Sequence, residues 1–163
     1  MNNTEIERKY LVRDDSFLQL AKSKHHICQG YMSVDPDCTI RVRQKDEKAY
    51  LTVKGRNADG GIAHFEWEKE ISAADAEVLL KMCQGKGKIE KDRYLVPWQG
   101  LTIEVDVFCG ANTGLVMAEI ELPDEAYPLT DLPAFIGEEV TADRRYYNSY
   151  LSAHPYTTWQ DEQ

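Results

Sequence analysis

The first predicted strand contains the stretch Glu5-Ile6-Glu7-Arg8-Lys9-Tyr10-Leu11-Val12, in which Glu5, Glu7 and Lys9 are spaced two residues apart. Alternate side chains of an extended strand share one face, so these three charges point in the same direction. The same spacing recurs along the chain in Arg41 and Arg43, Glu66 and Glu68, Lys91 and Arg93, Glu104 and Asp106, and Glu119 and Glu121. One such pair is typical of a half-solvated strand, but this many pairs indicate a shared charged surface.

The pairs are sorted by sign, because each is wholly acidic or wholly basic, whereas a solvent-facing strand normally mixes signs to avoid repulsion. If the strands close into a barrel with the charges inside, basic pairs could hold a polyanion and acidic pairs could hold divalent cations. Lys54 joins the basic set, since alternation in Leu51-Thr52-Val53-Lys54-Gly55 turns Thr52 and Lys54 inward. A water-filled tunnel of this kind suits a linear triphosphate. The alternative, a β-sandwich with these faces in solvent, does not explain the sorting by sign.

Composition limits the class of protein. The 163 residues, 42% of them hydrophobic, predict one domain with its own core. The net charge of −9 argues against nucleic-acid binding, which requires a basic surface. The chain contains no apolar run of membrane-spanning length, and its charged first twelve residues do not resemble a secretion signal. The four cysteines lack C-x-x-C spacing, which favours reduced thiols in a cytoplasmic protein.

Alternation and β-branched residues predict eight strands, joined mainly by short turns that make neighbours antiparallel. The strands are expected at about 4–12, 27–34, 38–45, 48–55, 63–71, 88–97, 100–108 and 115–122. The fold class is therefore mainly β (α+β): an eight-stranded antiparallel closed barrel, or tunnel, with a charged interior and a few helices packed outside. Helices are predicted over Asp14–Lys24, Ser72–Cys83 and Thr141–Leu151. We expect a single domain over residues 1–156 and a frayed polar tail over 157–163.

The stretch Glu5-Ile6-Glu7-Arg8-Lys9 resembles the ExExK signature of the CYTH, or triphosphate tunnel metalloenzyme, superfamily. The resemblance covers nearly the whole chain and is strongest to the compact bacterial inorganic triphosphatases. The other matching motifs are Gln29-Gly30-Tyr31, Arg41-Val42-Arg43, Leu51-Thr52-Val53-Lys54-Gly55, Lys91-Asp92-Arg93-Tyr94, Glu104-Val105-Asp106-Val107-Phe108, Ala118-Glu119-Ile120-Glu121-Leu122, Glu139-Val140-Thr141 and Arg145-Tyr146-Tyr147-Asn148.

The resemblance implies metal-dependent hydrolysis of a triphosphate, and hard carboxylate ligands suit Mg²⁺ or Mn²⁺. It assigns catalytic roles to Glu5, Glu7, Lys9, Glu119 and Glu121. The metal ligands are expected among Glu5, Glu7, Glu66, Glu68, Glu104, Asp106, Glu119 and Glu121. The phosphates are expected to bind Lys9, Arg41, Arg43, Lys54, Lys91, Arg93 and Arg145. Arg145 is preferred to Arg144 because the family pattern places Arg directly before Tyr.

The leading functional hypothesis is hydrolysis of tripolyphosphate to diphosphate and phosphate by a metal-activated water. One alternative is a class IV adenylate cyclase or a thiamine or nucleoside triphosphatase of the same superfamily. Another is a non-catalytic polyphosphate-binding module. The expected partner is a small-molecule triphosphate, with no nucleic acid and no membrane. The oligomeric state is open, and a homodimer is one alternative.

Overall fold

The computed structural model describes residues 4–56 and 63–162, apart from the side chains of 84–87 and 160–162. Its strands are β1 Thr4–Val12, β2 Ser23–Asp35, β3 Cys38–Lys45, β4 Lys48–Gly55, β5 Ala63–Ile71, β6 Gln84–Trp98, β7 Leu101–Phe108, β8 Val116–Glu121 and β9 Ile136–Glu139. The α-helices are α1 Phe17–Leu20, α2 Ala73–Lys81 and α3 Asn148–Ala153. Short 3-10 helices occupy Gly110–Asn112, Arg144–Tyr146 and Tyr156–Glu162.

The strands form one antiparallel sheet in the order β5-β4-β3-β2-β6-β7-β8-β1-β9, which closes on itself because β5 also pairs with β1. This closure involves three residue pairs, from Thr4 opposite Phe65 to Ile6 opposite Ala63. Farther along the same edge of β1, β9 takes the place of β5 and pairs Glu139 with Tyr10. The predicted eight-stranded antiparallel barrel is confirmed, and β9 is an additional strand that the sequence pattern did not predict.

Outward apolar residues form the core between the barrel wall and the elements around it. Val42 is fully buried beneath Ala76 and Leu80 of α2. On another side, Phe17 of α1 and Phe135 pack on the barrel wall. The outer elements do not cover the whole outward face, since Trp67 is 39% exposed. Because the apolar side chains of these strands point outward, the charged side chains that alternate with them lie on the inside of the barrel.

Two predicted helices are shorter than expected. The helix expected over Asp14–Lys24 is limited to Phe17–Leu20, because β2 already begins at Ser23 and pairs with β6. The third helix is interrupted at Tyr147, whose backbone is extended with φ −76° and ψ 137°. The α2 prediction is confirmed, and the side chain of Ser72 caps its first turn by accepting a hydrogen bond from the backbone N of Asp75 at 3.0 Å.

Helix α3 closes one end of the barrel. Leu151 of α3 is fully buried against Ile89, Phe108 and Met117. Those three residues lie two positions from Lys91, Asp106 and Glu119 and therefore share their inward face. The interior thus changes from charged to apolar at α3, and the tunnel has a closed end there.

Within the segment predicted as a frayed tail, Tyr156–Glu162 form a 3-10 helix. The indole Nε1 of Trp159 donates a hydrogen bond to the backbone O of His154 at 3.0 Å. The division into one domain and a frayed tail stays a prediction. No helix in the described ranges 4–56 and 63–162 is long and apolar enough to cross a lipid bilayer.

Candidate active site

Strand register brings the predicted charges together inside the barrel. Lys9 of β1 lies opposite Glu119 of β8, which in turn lies opposite Glu104 of β7. On the other side, Lys54 lies opposite Glu66. Directly opposed residues of neighbouring strands project from the same face. These five residues and Arg93 of β6 come from six of the eight barrel strands, and all of them line the interior.

The lining is least exposed at Lys91, which contacts α3 through Asn148. The side chains of Glu68 and Lys54 are 39% and 28% exposed, that of Glu119 is 9% exposed, and that of Lys91 is fully buried. Water can therefore reach the acidic residues near the open part of the tunnel, while the innermost basic residues are almost dry. This gradient is the geometry expected of a one-ended cavity that binds an elongated ligand.

Two carboxyl groups of the lining, those of Glu7 and Glu121, are not balanced by the cations around them. Burial and the neighbouring Glu119 raise the pKa of Glu7 to about 8. Burial, Glu5 and Glu104 likewise raise the pKa of Glu121. The excess negative charge fits hard divalent cations, which carboxylate oxygens bind well. Among the residues that the structure describes, no three His, Cys, Asp or Glu side chains are already close enough to form a metal site.

Lys9 links two of these acidic residues. Its Nζ lies 3.3 Å from Glu119 Oε1 and 3.8 Å from Glu7 Oε1. Burial lowers the pKa of Lys9, but Glu119 and Glu7 outweigh burial and keep this pKa above its ordinary value. Burial raises the pKa of Glu119, but Lys9 and Arg93 keep it well below its ordinary value. Lys9 and Glu119 therefore stay charged at neutral pH.

Arg41 and Arg43 have unused hydrogen-bond donors. Arg43 Nε donates to Gln29 Oε1 at 2.7 Å, and within the described residues its two terminal nitrogens have no hydrogen-bond partner. Arg41 donates through Nη2 to Thr52 Oγ1 at 3.2 Å, while its buried Nε has no partner in the described ranges. Burial and the neighbouring Arg41 and Arg93 lower the pKa of Arg43 to about 9. An anion would satisfy these donors and offset the repulsion.

Arg93 and Lys91, by contrast, are already paired. Arg93 binds both carboxylate oxygens of Asp106, at 2.8 and 2.9 Å, and Glu104 Oε2 at 2.8 Å. Lys91 Nζ lies 2.7 Å from Asp106 Oδ2. Burial raises the pKa of Asp106, but Arg93 and Lys91 outweigh burial and lower it. Because cations occupy both oxygens, this geometry favours a structural role for Asp106 over the predicted role as a metal ligand.

The structure does not bring Arg145 to the tunnel. Its guanidinium lies outside, 57% exposed, with Nη2 2.6 Å from Asp143 Oδ2 and the guanidinium carbon 5.4 Å from the centre of the Trp159 ring. The side chain of Asp143 caps the 3-10 helix that carries Arg145, which holds this turn at the surface. Arg144 is also exposed. The remaining predicted site residues line the interior.

Sequence reasoning gave no role to two polar residues of the lining, Gln29 and Asn148. Gln29 is fully buried and contacts Arg43. The sequence contained a signal for Gln29, because this residue shares one strand face with the apolar Ile27 and Tyr31. A polar residue on such a face indicates a partner inside the protein. Asn148 is 8% exposed and contacts Lys91, but no local pattern in α3 distinguishes it from an ordinary surface asparagine.

Comparison with known proteins supports the geometry. The family model described as CYTH domain matches residues 3–151. The inorganic triphosphatase of Acetivibrio thermocellus is 45% identical over 157 residues, covering 96% of this chain and 98% of that protein. The inorganic triphosphatase of Nitrosomonas europaea is 35% identical over 155 residues, covering 91% and 97%. A solved structure of the inorganic triphosphatase NE1496 superposes with a TM-score of 0.63 at 30% identity, covering 91% of this chain and 93% of the other.

Proposed function

The chain belongs to the CYTH family, and we propose that it is an enzyme that hydrolyses inorganic triphosphate to diphosphate and phosphate with the help of Mg²⁺ or Mn²⁺. The observation that carries the proposal is the meeting, on the inside of one barrel, of arginines with unused donors and carboxyl groups whose ionised form the neighbouring cations do not fully compensate. A polyanion and a divalent cation, bound together, would satisfy both. The similarity to proteins named inorganic triphosphatase supports the same substrate class.

The basic residues would hold the phosphates. Arg41 and Arg43 can direct paired N–H groups to phosphoryl oxygens, since a guanidinium matches phosphate geometry. Lys9 and Lys54 would act as point charges nearer the open part of the tunnel, where Lys54 Nζ is 3.1 Å from Glu5 Oε1. Arg93 and Lys91, although paired with Asp106, would form the inner wall that faces the innermost phosphoryl group. Arg145 is left out of this set because of its exposed position.

The acidic residues that fit a divalent cation are Glu5, Glu7, Glu119 and Glu121, with Glu66, Glu68 and Glu104 near them on the lining. Such a cation, when bound, would supply Lewis acidity and a water molecule of lowered pKa. Glu7 would lose the proton that burial favours, and Lys9 would hold Glu119 in place. The closed, apolar end at α3 would exclude bulk water from the inner phosphates.

Phosphate release tests the proposal. Purified protein is incubated with Mg²⁺ or Mn²⁺ and, in parallel, with tripolyphosphate, ATP, GTP or thiamine triphosphate. We expect the highest kcat/KM with tripolyphosphate, and Glu119→Gln should abolish turnover while the variant remains folded. Arg8→Ala is a matched control, because Arg8 lies on β1, the strand next to that of Glu119, but pairs with Glu139 at 2.9 Å on the outside.

Two results would contradict the proposed substrate. One is the absence of phosphate release from tripolyphosphate while a nucleotide or thiamine triphosphate is turned over. The other is cyclic AMP formed from ATP and detected by mass spectrometry, which would favour a cyclase. Binding of tripolyphosphate without turnover with any metal would indicate a binding module. The cytoplasmic location and the oligomeric state stay predictions.

A further inference from the structure

The first residue of α3, Asn148, lies where the closed end meets the charged lining. Its Oδ1 accepts a hydrogen bond from Lys91 Nζ at 2.8 Å and another from Gln29 Nε2 at 3.4 Å. All three side chains are almost or wholly buried. Asn148 is thus the polar contact between the helix that closes the tunnel and two strands of the wall, β6 and β2.

Gln29 extends this contact to the phosphate-binding candidates. Its Oε1 accepts from Arg43 Nε at 2.7 Å, while its Nε2 also donates to Tyr31 Oη at 3.1 Å. The chain of contacts therefore runs from Arg43 through Gln29 to Asn148 and on to Lys91. Among the described residues, none forms a hydrogen bond with the two terminal nitrogens of Arg43, so the bond from Nε to Gln29 is the hydrogen bond that orients these donors.

A purely local role for Asn148 does not account for these contacts. An asparagine near the start of a helix normally accepts a hydrogen bond from that helix's own backbone. Here the N-cap is Tyr147, and no side-chain cap hydrogen bond is made. The side-chain oxygen of Asn148 is instead fully engaged by the tunnel wall. Both of its donors belong to residues that face the interior.

We propose that Asn148 is a positioning residue, which orients Lys91 directly and Arg43 through Gln29 toward the innermost phosphoryl group of the substrate. The inference rests on the proposed triphosphate-binding function. It predicts an effect on substrate binding more than on the chemical step, because the hydrogen bonds of Asn148 go to Lys91 and Gln29 and not to the carboxylates Glu5, Glu7 and Glu119. Helix α3 would then shape the substrate site as well as close the tunnel.

The test compares Asn148→Leu, which has similar volume but no acceptor, with Asn112→Leu. Asn112 is a matched control because it is 2% exposed and its Oδ1 accepts from the backbone N of Tyr156 at 2.8 Å, in a 3-10 helix outside the barrel strands. We expect KM for tripolyphosphate to rise roughly tenfold or more in Asn148→Leu, which is the scale of a lost hydrogen bond to a charged group. kcat should stay within about threefold, and Asn112→Leu should leave KM within about twofold.

Several outcomes would overturn the inference. These are an unchanged KM in Asn148→Leu, an equal rise in Asn112→Leu, or a loss confined to kcat. In the double variant with Gln29→Leu, the two effects on KM should be less than additive, and strict additivity would contradict a shared network. If Asn148→Leu does not fold, Asn148→Ser, whose short hydroxyl cannot span the contact, takes its place under the same criteria.

Calorimetry with tripolyphosphate in EDTA separates this inference from the proposed function. Wild-type protein that binds tripolyphosphate but never hydrolyses it with any metal would refute the triphosphatase. Weaker binding by Asn148→Leu than by wild type and Asn112→Leu would still support the positioning role. Equal binding by all three proteins would refute the positioning role alone.

Discussion

Asp106→Asn tests whether Asp106 is a structural counter-ion or a metal ligand. Asp106 is 1% exposed, receives two hydrogen bonds from Arg93, and lies 2.7 Å from Lys91. Asparagine leaves both cations buried without their counter-charge, and breaking a buried ion pair in this way costs roughly 3–5 kcal/mol. We expect a loss of this size in the free energy of unfolding, measured by urea denaturation at pH 7 in EDTA.

The matched control is Glu104→Gln. Glu104 binds the same guanidinium at 2.8 Å but is 29% exposed, so its loss should cost at most about 1 kcal/mol. The effect of Asp106→Asn should also depend on pH. Because the pKa of Asp106 is lowered in the folded state, its stabilisation is fully present above its ordinary value of 3.8 and disappears as the pH falls below that value. A loss no larger than that of Glu104→Gln, or one seen only with added Mg²⁺ or Mn²⁺, would refute the structural role.

Three further comparisons test other parts of the structure. Arg145→Ala should keep kcat/KM for tripolyphosphate within about threefold of wild type. Arg43→Ala should lower kcat/KM roughly a hundredfold, because charged hydrogen bonds to the substrate are lost. A larger effect of Arg145→Ala than of Arg43→Ala would contradict the placement of Arg145 outside the tunnel. Ser72→Ala removes the cap of α2 and should cost about 0.5–2 kcal/mol in urea denaturation, so an unchanged midpoint would argue against the cap. Gly30→Ala would place a Cβ 2.7 Å from Cys83 Sγ and should cost about 1–3 kcal/mol, part of which Cys83→Ala should restore in thermal denaturation.

The sequence predicted the barrel well because alternation is a direct record of strand faces. In β3, Arg41 and Arg43 alternate with Val42, and the structure buries Val42 under α2 while both arginines face the interior. The same rule located Lys54 and Glu119. In β3 the local sequence pattern and the tertiary environment favour the same conformation. The faces of this strand could therefore be predicted without knowing which residues pack against it.

The sequence failed where distant residues decide the local structure. Residues 14–24 contain a helical apolar spacing, but strand pairing with β6 extends β2 back to Ser23 and limits the helix. β9 is four residues long and follows an irregular, proline-containing segment, so it offers too little alternation to detect. Arg145 followed the family pattern, yet Asp143 holds it at the surface. Asn148 contacts Lys91, which lies 57 positions away in the sequence, so the residues next to Asn148 do not indicate this contact.

The way β1 is held has a consequence for biosynthesis. Thr4–Val12 are made before the segments that they pair with, which are Ala63–Phe65, Met117–Glu121 and Ile136–Glu139. Strand β1 must therefore wait, with unpaired edges, until Ile136–Glu139 have left the ribosome, and such long-range pairing slows folding. A nascent chain stalled before Ile136 would expose unpaired sheet edges, which can pair with other chains and cause aggregation. We expect that products terminated before Ile136 do not accumulate as folded protein in cells and are instead degraded or recovered in inclusion bodies.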